Sequence, residues 1–369
     1  MDFGFSPEQE ALYTRMRALG ATVDAADPDQ RLPLLAEGGA LGLPLPRDLG
    51  GEGFDLVSTA RAYEGLGFAL RDGGVLLAAG AHLFGVALAL LRVGSDAQKR
   101  AILPELASGK TIATVAATEI DAGSDIASVR ATAERAPGGF RLRGEKRYVT
   151  WGDRAGLFLV VAREGAERRG LVTLLVRGDA EGIRRGEPLA TAGLRGARLG
   201  PVAFEDVFVP EDAVLGKPGA GLAIFQIAMT FERALVLAFR LGALERAIEE
   251  GVRFCRTRTL GEVPIARHQA VSHRLARMKM RLEASRLLVY RAAWALDRGE
   301  RAQAEAALAK WHLGETAVAS SLDDIALRGG AGFLEESGLP AALDDAIGGS
   351  IHSGTSDVLA GFVARWMGV

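Results

Sequence analysis

Cysteine is almost missing: Cys255 is the only one among 369 residues. That excludes an internal disulfide and a thiolate metal site. Lysine is scarce as well, because only six of the 44 basic residues are Lys and the other 38 are Arg. Arginine richness of this kind is consistent with a GC-rich bacterial genome and says nothing about chemistry. Against 46 acidic residues the chain carries a net charge of −2, so it lacks the concentrated basic surface that nucleic acid requires. His82, His268, His273 and His312 show no metal-ligand spacing with nearby carboxylates. The first residues, MDFGFSPEQEALYTRM, are acidic and amphipathic, without the basic-then-apolar plan of a signal peptide. One run, Gly73 to Leu91, imitates a membrane span. It contains several Gly and His82 and no interfacial aromatic anchors, so a buried helix of a large α-domain is expected instead. These absences predict a cytoplasmic protein with neither a membrane nor a nucleic-acid partner. What is abundant is apolar: 49% of the residues are hydrophobic, enough for a large core in two or three domains.

Three textures follow one another. Residues 1–112 read as helices. Ser6-Pro7-Glu8-Gln9 predicts an N-cap with Pro at the first helical position, followed by apolar Leu12, Met16 and Leu19. Helical periodicity recurs at Arg61–Leu70, Val75–Leu91 and Asp96–Leu106, with PRDLGGEGF (46–54) as an irregular connector. Residues 113–213 change to short runs rich in Val, Leu and aromatics, at 140–150, 157–163, 171–176 and 202–209, separated by Gly and Pro. They predict a mostly antiparallel β-domain. Residues 214–369 are helical again, with long periodic stretches at 221–254, 265–298 and 301–328, then a Gly-punctuated segment (329–355) and a terminal helix. The predicted class is α+β and multi-domain: a helical domain, an antiparallel β-domain and a helical bundle.

Two segments carry chemistry. In TEIDAGSD (118–125) small residues let backbone N–H groups approach a ligand, while Thr and Ser hydroxyls can bond ring or phosphate oxygens. GEKRYVTWG (144–152) is a strand ending in an aromatic and a hydroxyl. Each alone fits an ordinary turn or strand. Their order is more specific: the pair resembles the flavin-binding segments of the acyl-CoA dehydrogenase family, TEPNAGSD and then GEKxWITN. PRDLGGEGF, GSDAQKRAILPELASGK and GLRGARLGPVAFEDVFVP also resemble family segments, so the likeness covers nearly the whole chain.

The resemblance implies a helical domain, a β-domain and a helical bundle, usually in a tetramer, that dehydrogenates acyl thioesters between Cα and Cβ using FAD. A carboxylate takes the α-proton and the β-hydride passes to the flavin. By position, Thr118 and Ser124 match hydroxyls near the flavin, and Tyr148 and Thr150 match residues that flank it. RTLGEVPIARHQ (258–269) matches a family segment in which Arg258 reaches the FAD pyrophosphate of a neighbouring subunit, with Gln269 at its end. GGAGF, containing Gly329 and Gly330, and SGTSD, containing Thr355 and Asp357, match the turns that complete the FAD site.

The departures are as informative. Where common members have the catalytic Glu of YEGT, this chain reads His352-Ser353-Gly354-Thr355. A Ser hydroxyl cannot take an α-proton unaided, although the residue 353 N–H survives to polarise a thioester carbonyl. Some members, of the isovaleryl and long-chain types, place the base on a bundle helix before an Arg, and Glu232-Arg233 stands there. The residues support this independently: from Leu222 to Phe239 these two are the only charged side chains. A carboxylate among Ala228, Met229, Leu235 and Val236 has a raised pKa, as a base near neutrality requires. The plainer reading is a buried ion pair. Adjacent helical residues diverge, so each would then need another partner.

Glu232 is therefore the expected base, Arg233, Ser124 and Ser353 the expected substrate contacts, and His352 a fallback base. Gly261, Ala326, Trp151 and Asp344 replace the family's usual Phe, Gln, Asn and Arg. The expected activity is FAD-dependent dehydrogenation of an acyl thioester on CoA or an acyl carrier protein. Electron-transfer flavoprotein or oxygen is the expected acceptor, and the assembly a homo-oligomer (dimer or tetramer), possibly hetero-oligomeric. The alternatives are a non-catalytic or half-site subunit, and a flavin oxidase of hydroxyacyl thioesters.

Overall fold

The computed structural model describes residues 4–164 and 170–369. Helix α1 (Pro7–Asp24) starts as the sequence signals: the Ser6 hydroxyl accepts from the Gln9 N–H, and the Gln9 carboxamide accepts from the Ser6 N–H. Its inner face buries Leu12, Met16 and Val23, each worth about 1.5–3 kcal/mol once removed from water. The remaining helices of this domain are α2 (Arg31–Glu37), α3 (Leu56–Ala69), α4 (Gly73–Gly80), α5 (Leu88–Val93) and α6 (Asp96–Ala107). Between α4 and α5 the chain runs as a π-helical turn, Ala81–Ala87. The continuous Gly73–Val93 stretch is apolar enough to cross a membrane, yet 94% of its most apolar 18-residue window is buried inside the protein. It is a core element, as its Gly and His content predicts. Gly221–Thr257 passes the same length and hydropathy test, and its most apolar 18-residue window is two-thirds buried.

The β-domain holds β1 (Ala113–Ala116), β2 (Thr132–Ala136), β3 (Gly139–Val149), β4 (Leu157–Arg163), β5 (Leu171–Arg177), β6 (Ile183–Arg185) and β7 (Gly200–Pro210). They form one sheet in the order β1-β4-β2-β3-β7-β6, with β5 also on β4. Four of its pairings are antiparallel, while β4 runs parallel to β1 and meets β2 at a single parallel bridge. Six of the seven residues of β4 are buried, which explains its unbroken apolar sequence. One face of the sheet closes over its own core, where Phe158 meets Phe204 edge-on. The other joins the helices.

The bundle comprises α7 (Gly221–Leu235), α8 (Ala238–Thr257), a hairpin of β8 (Thr259–Leu260) and β9 (Val263–Pro264), α9 (Gln269–Asp297), α10 (Gln303–Arg328), α11 (Gly330–Phe333), α12 (Leu339–Ile351) and α13 (Ser356–Met367). Two expectations need correction. The stretch at 265–298 becomes helical only at Gln269, because the hairpin and a 3-10 turn at Ile265–Arg267 precede it. The Gly-punctuated segment at 329–355, for which no helix was expected, contains α11 and α12. Gly348 and Gly349 hid α12 from the periodicity. Gly349 is buried and would set its Cβ 3.5 Å from Leu237, so packing outweighs weak propensity.

Helix α3 locks the first domain to the bundle. Buried Glu64 accepts two hydrogen bonds from Arg286 of α9, at 2.6 and 2.8 Å, and one from Tyr290. Alongside, α3 and α8 cross closely: a Cβ on Gly67 would stand 1.8 Å from the Phe239 carbonyl, and one on Gly242 1.9 Å from that of Glu64. This crossing fixes the bundle against Gly73–Val93, on which α7 also packs.

Candidate active site

The TEIDAGSD loop leaves β1 and returns to β2, and its shape depends on a buried ion pair. Glu119 accepts from Lys146 Nζ at 2.7 Å and from the N–H groups of Arg130 and Ala131 at 2.6 and 2.9 Å. Lys146 also donates to the Ala117 carbonyl at 3.0 Å. Burial opposes charge on both partners. Hydrogen bonds and the ammonium hold Glu119 below its usual value, whereas desolvation prevails at Lys146 and lowers it. The bond from the Arg147 N–H to the Thr118 carbonyl completes the join at 2.8 Å. Loop and strand end are thereby held together, and Thr118, Ser124, Tyr148 and Thr150 line one cavity of about 590 Å³.

Tyr148 adopts a left-handed backbone (φ 57°) and leaves half its surface exposed at that cavity. Trp151, also left-handed, donates its indole N–H to the Gly196 carbonyl at 3.0 Å. The residue in the family's Asn position therefore anchors the 194–198 loop. Asp344 lines the cavity, while its neighbour Asp345 is drawn inward and accepts from the Leu194 N–H at 2.5 Å. Gly261 has φ 60° and turns the β8–β9 hairpin with open space around it, which a Phe would strain.

The opposite arm of the site comes from α7, α10 and the turn between α12 and α13. Glu232 and Arg233 both line the cavity and are both buried. Although they diverge around the helix, they meet the same residue. Ser353 donates its hydroxyl to Glu232 Oε1, and Arg233 Nε donates to the Ser353 carbonyl at 2.8 Å. Lys310 of α10, fully buried, donates to the next carbonyl, that of Gly354, at 2.6 Å. Arg233 also lies over the Phe362 ring of α13, 4.7 Å from its centroid.

The electrostatics follow from this burial. Desolvation raises Glu232 above the usual carboxylate value, opposed by the Ser353 hydrogen bond and the charges of Arg233 and Lys310. Desolvation, with Arg233 adding to it, pushes Lys310 down to about 7. His352, the fallback candidate, lines the same cavity. Its Nδ1 is 3.0 Å from the Ser353 hydroxyl, and burial with Lys310 and Arg240 nearby holds it well below the usual value.

The predicted residues therefore separate into two groups. Thr118, Ser124, Tyr148, Thr150, Glu232, Arg233, Ser353 and Thr355 share the cavity, with Thr355 also capping α13 through its bond from the Val358 N–H. Arg258, Gln269, Gly329, Gly330 and Asp357 are exposed and do not line it. The first four lie near a small separate core of Cys255, Met278 and Leu327, where α8, α9 and α10 meet. Sequence reasoning gave no role to Glu119 and Lys146, although both lie in the quoted segments, nor to Lys310 or to Gly85 of the π turn. A Cβ there would stand 2.5 Å from Glu232 Oε2. His82 is structural, linking the Leu106 carbonyl to the Ala113 N–H. No group of His, Cys, Asp and Glu suited to a metal exists among the described residues.

Three family descriptions match the chain in order. They are the acyl-CoA dehydrogenase N-terminal domain at 9–110, middle domain at 114–207 and C-terminal domain at 219–368. The chain belongs to the acyl-CoA dehydrogenase family. This acyl-CoA dehydrogenase homologue is 41% identical over 335 residues to an L-prolyl-[peptidyl-carrier protein] dehydrogenase of Pseudomonas fluorescens Pf-5, covering 90% of this chain and 88% of that one. Among solved structures it resembles the prolyl acyl carrier protein oxidase AnaB (TM-score 0.96, 32% identity, 99% and 100% of the two chains). It is similarly close to PigA with FAD and proline (TM-score 0.95, 33% identity, 100% and 99%). The protein is an FAD-dependent oxidoreductase that dehydrogenates an acyl thioester. The cavity suits that cofactor: three hydroxyl side chains and an exposed Tyr sit on a rigid loop–strand pair, within the size range of small-molecule sites.

Proposed function

We propose that this dehydrogenase oxidises a prolyl group held as a thioester on a carrier protein, with Glu232 as the α-proton base. The observation that carries the chemistry is the placement of Glu232, the carboxylate that lines the FAD-side cavity while buried enough to have a raised pKa. The relatives that act on prolyl-carrier thioesters support the substrate class.

Thr118, Ser124, Tyr148 and Thr150 would hold the flavin. Bound FAD supplies the acceptor for the β-hydride. The chain supplies the rest. Glu232 takes the α-proton, and the electron pair left behind is stabilised at the thioester carbonyl by the Ser353 N–H. Arg233 and Lys310 fix that N–H by tying down the Ser353 and Gly354 carbonyls. Leu77, Phe225, Met229 and Phe362 line the cavity with apolar surface and exclude water from the reacting atoms. The exposed Arg258, Gln269, Gly329 and Gly330 support a homo-oligomer in which these residues complete a neighbour's FAD site. An electron-transfer flavoprotein or oxygen then reoxidises the enzyme.

The test is anaerobic mixing of the FAD-loaded enzyme with L-prolyl-carrier thioester, and in parallel with butyryl-CoA, while the flavin spectrum is followed. Bleaching by the prolyl thioester that is absent in Glu232→Gln is the expected result. Bleaching by butyryl-CoA alone would refute the substrate assignment, and bleaching in Glu232→Gln would refute the base.

A further inference from the structure

The direction of the hydrogen bonds around Glu232 follows from the chemistry of its partners. An ionised carboxylate only accepts, so the Ser353 hydroxyl gives its single proton to Glu232 Oε1. The Ser353 oxygen then offers lone pairs alone to His352 Nδ1, 3.0 Å away. Nδ1 therefore carries the hydrogen, and the neutral ring presents Nε2 as an acceptor. That nitrogen is buried with no hydrogen-bond partner among the described residues. Lys310 of α10 and Arg240 of α8 both oppose charge on the ring. A neutral imidazole of this tautomer orients Ser353 through its Nδ1–H.

A second observation concerns the other carboxylate oxygen. Oε2 occupies the space that a side chain at residue 85 would fill, since a Cβ on Gly85 would stand only 2.5 Å from it. Gly85 belongs to the π turn, and Val115 of β1 lines the same recess. One oxygen is held, and the other has a space kept for it.

We propose that Ser353, oriented by His352, is a positioning residue that holds Glu232 through Oε1, so that Oε2 at Gly85 receives the substrate α-proton. This rests on the reading of Glu232 as base. In the step the Cα–H bond breaks and an O–H bond forms at Oε2. The electron pair stays with the acyl group, and Ser353 keeps its own proton. The groups facing Glu232 are Arg233 on its own helix, Lys310 of α10, and Ser353 with neutral His352 after α12. Gly85 and Val115 add no charge. Ser353 therefore favours the ionised base against burial, together with two cations.

The experiment follows anaerobic flavin reduction across pH in FAD-loaded enzyme, with whichever thioester bleaches it. Ser353→Ala and Ser353→Gly remove the hydroxyl, the second easing the left-handed backbone (φ 57°) as well. Both should move the acid limb of the rate profile upward by about one pH unit, roughly tenfold in rate on that limb. His352→Leu should move it the same way. His352→Asn, which keeps an N–H near the Nδ1 position, should hold it. An unmoved limb in both Ser353 variants overturns the proposal. Independently of turnover, ¹⁵N NMR of histidine-labelled protein should show His352 neutral with hydrogen on Nδ1, and hydrogen on Nε2 overturns it. Glu232→Gln separates the two readings. If it still bleaches, the base assignment fails. If it does not bleach while the Ser353 variants keep the wild-type limb, only the positioning role fails.

Discussion

Adding one methyl group at Gly85 should silence the enzyme while barely changing its stability. The Cβ of Gly85→Ala would stand 2.5 Å from Glu232 Oε2 and 3.2 Å from Val115 Cγ2. Ordinary contact needs about 3.5 Å, so the carboxylate must retreat by about 1 Å. It cannot do so freely, because Oε1 is bonded to Ser353. A base displaced by about 1 Å loses on the order of 100-fold in rate. Stability responds differently. Loss of a charge-assisted hydrogen bond costs about 1.5–3 kcal/mol, and Ala in place of Gly in a helix returns about 1 kcal/mol. The net change is about 1 kcal/mol, small beside the whole. Rapid-mixing flavin reduction reads the first quantity and urea unfolding the second. A Gly85→Ala enzyme that reduces its flavin within threefold of wild type would refute the reasoning, because the recess would then not hold the base.

Three further outcomes are expected. Glu119→Gln or Lys146→Met alone leaves a buried charge unpaired and should cost about 3–5 kcal/mol, with loss of FAD on purification. The double variant should recover much of that stability in urea melts. His82, held at about 4 by burial, takes up no proton in the folded state until the pH falls well below the unfolded value of about 6.5. Its folded pKa is depressed, so the unfolded chain binds more protons between those values. Stability should accordingly fall by about 3 kcal/mol as the pH drops from about 6.5 to 4, a slope that unfolding titrations of a His82→Gln variant should lack. Arg258→Ala should lower the FAD content of the purified protein, as measured by flavin absorbance per chain, while the FAD-free variant and FAD-free wild type unfold at the same temperature. Unchanged FAD content would remove the support for a site shared between subunits.

The order of domains was legible because each carries a local signature: a period of 3.6 around Leu12 and Met16, or an unbroken Val and Leu run in β4. Glu232 and Arg233 were legible for a similar reason, as two charges alone in an apolar helix. Glu119, Lys146 and Lys310 were not, since a charged residue has the same letter whether it lies in water or is sealed in a core. The π turn around Gly85 escaped as well. It is a shift in backbone hydrogen bonding and has no residue pattern of its own.

By itself, then, the sequence determined the helical and β textures, the segments that resemble flavin-binding motifs, and the candidate base Glu232, set with Arg233 in an otherwise apolar helix. Tertiary structure alone decided what that carboxylate touches. Ser353 lies 121 residues away and reaches Glu232 only because α10 and α13 carry its turn against α7. The contact of His352 with Ser353 and the engaged oxygen of Glu232 belong to that meeting, and Oε2 fills the space left by the missing side chain at Gly85. Periodicity records which face of an element is buried, and packing decides which buried faces meet.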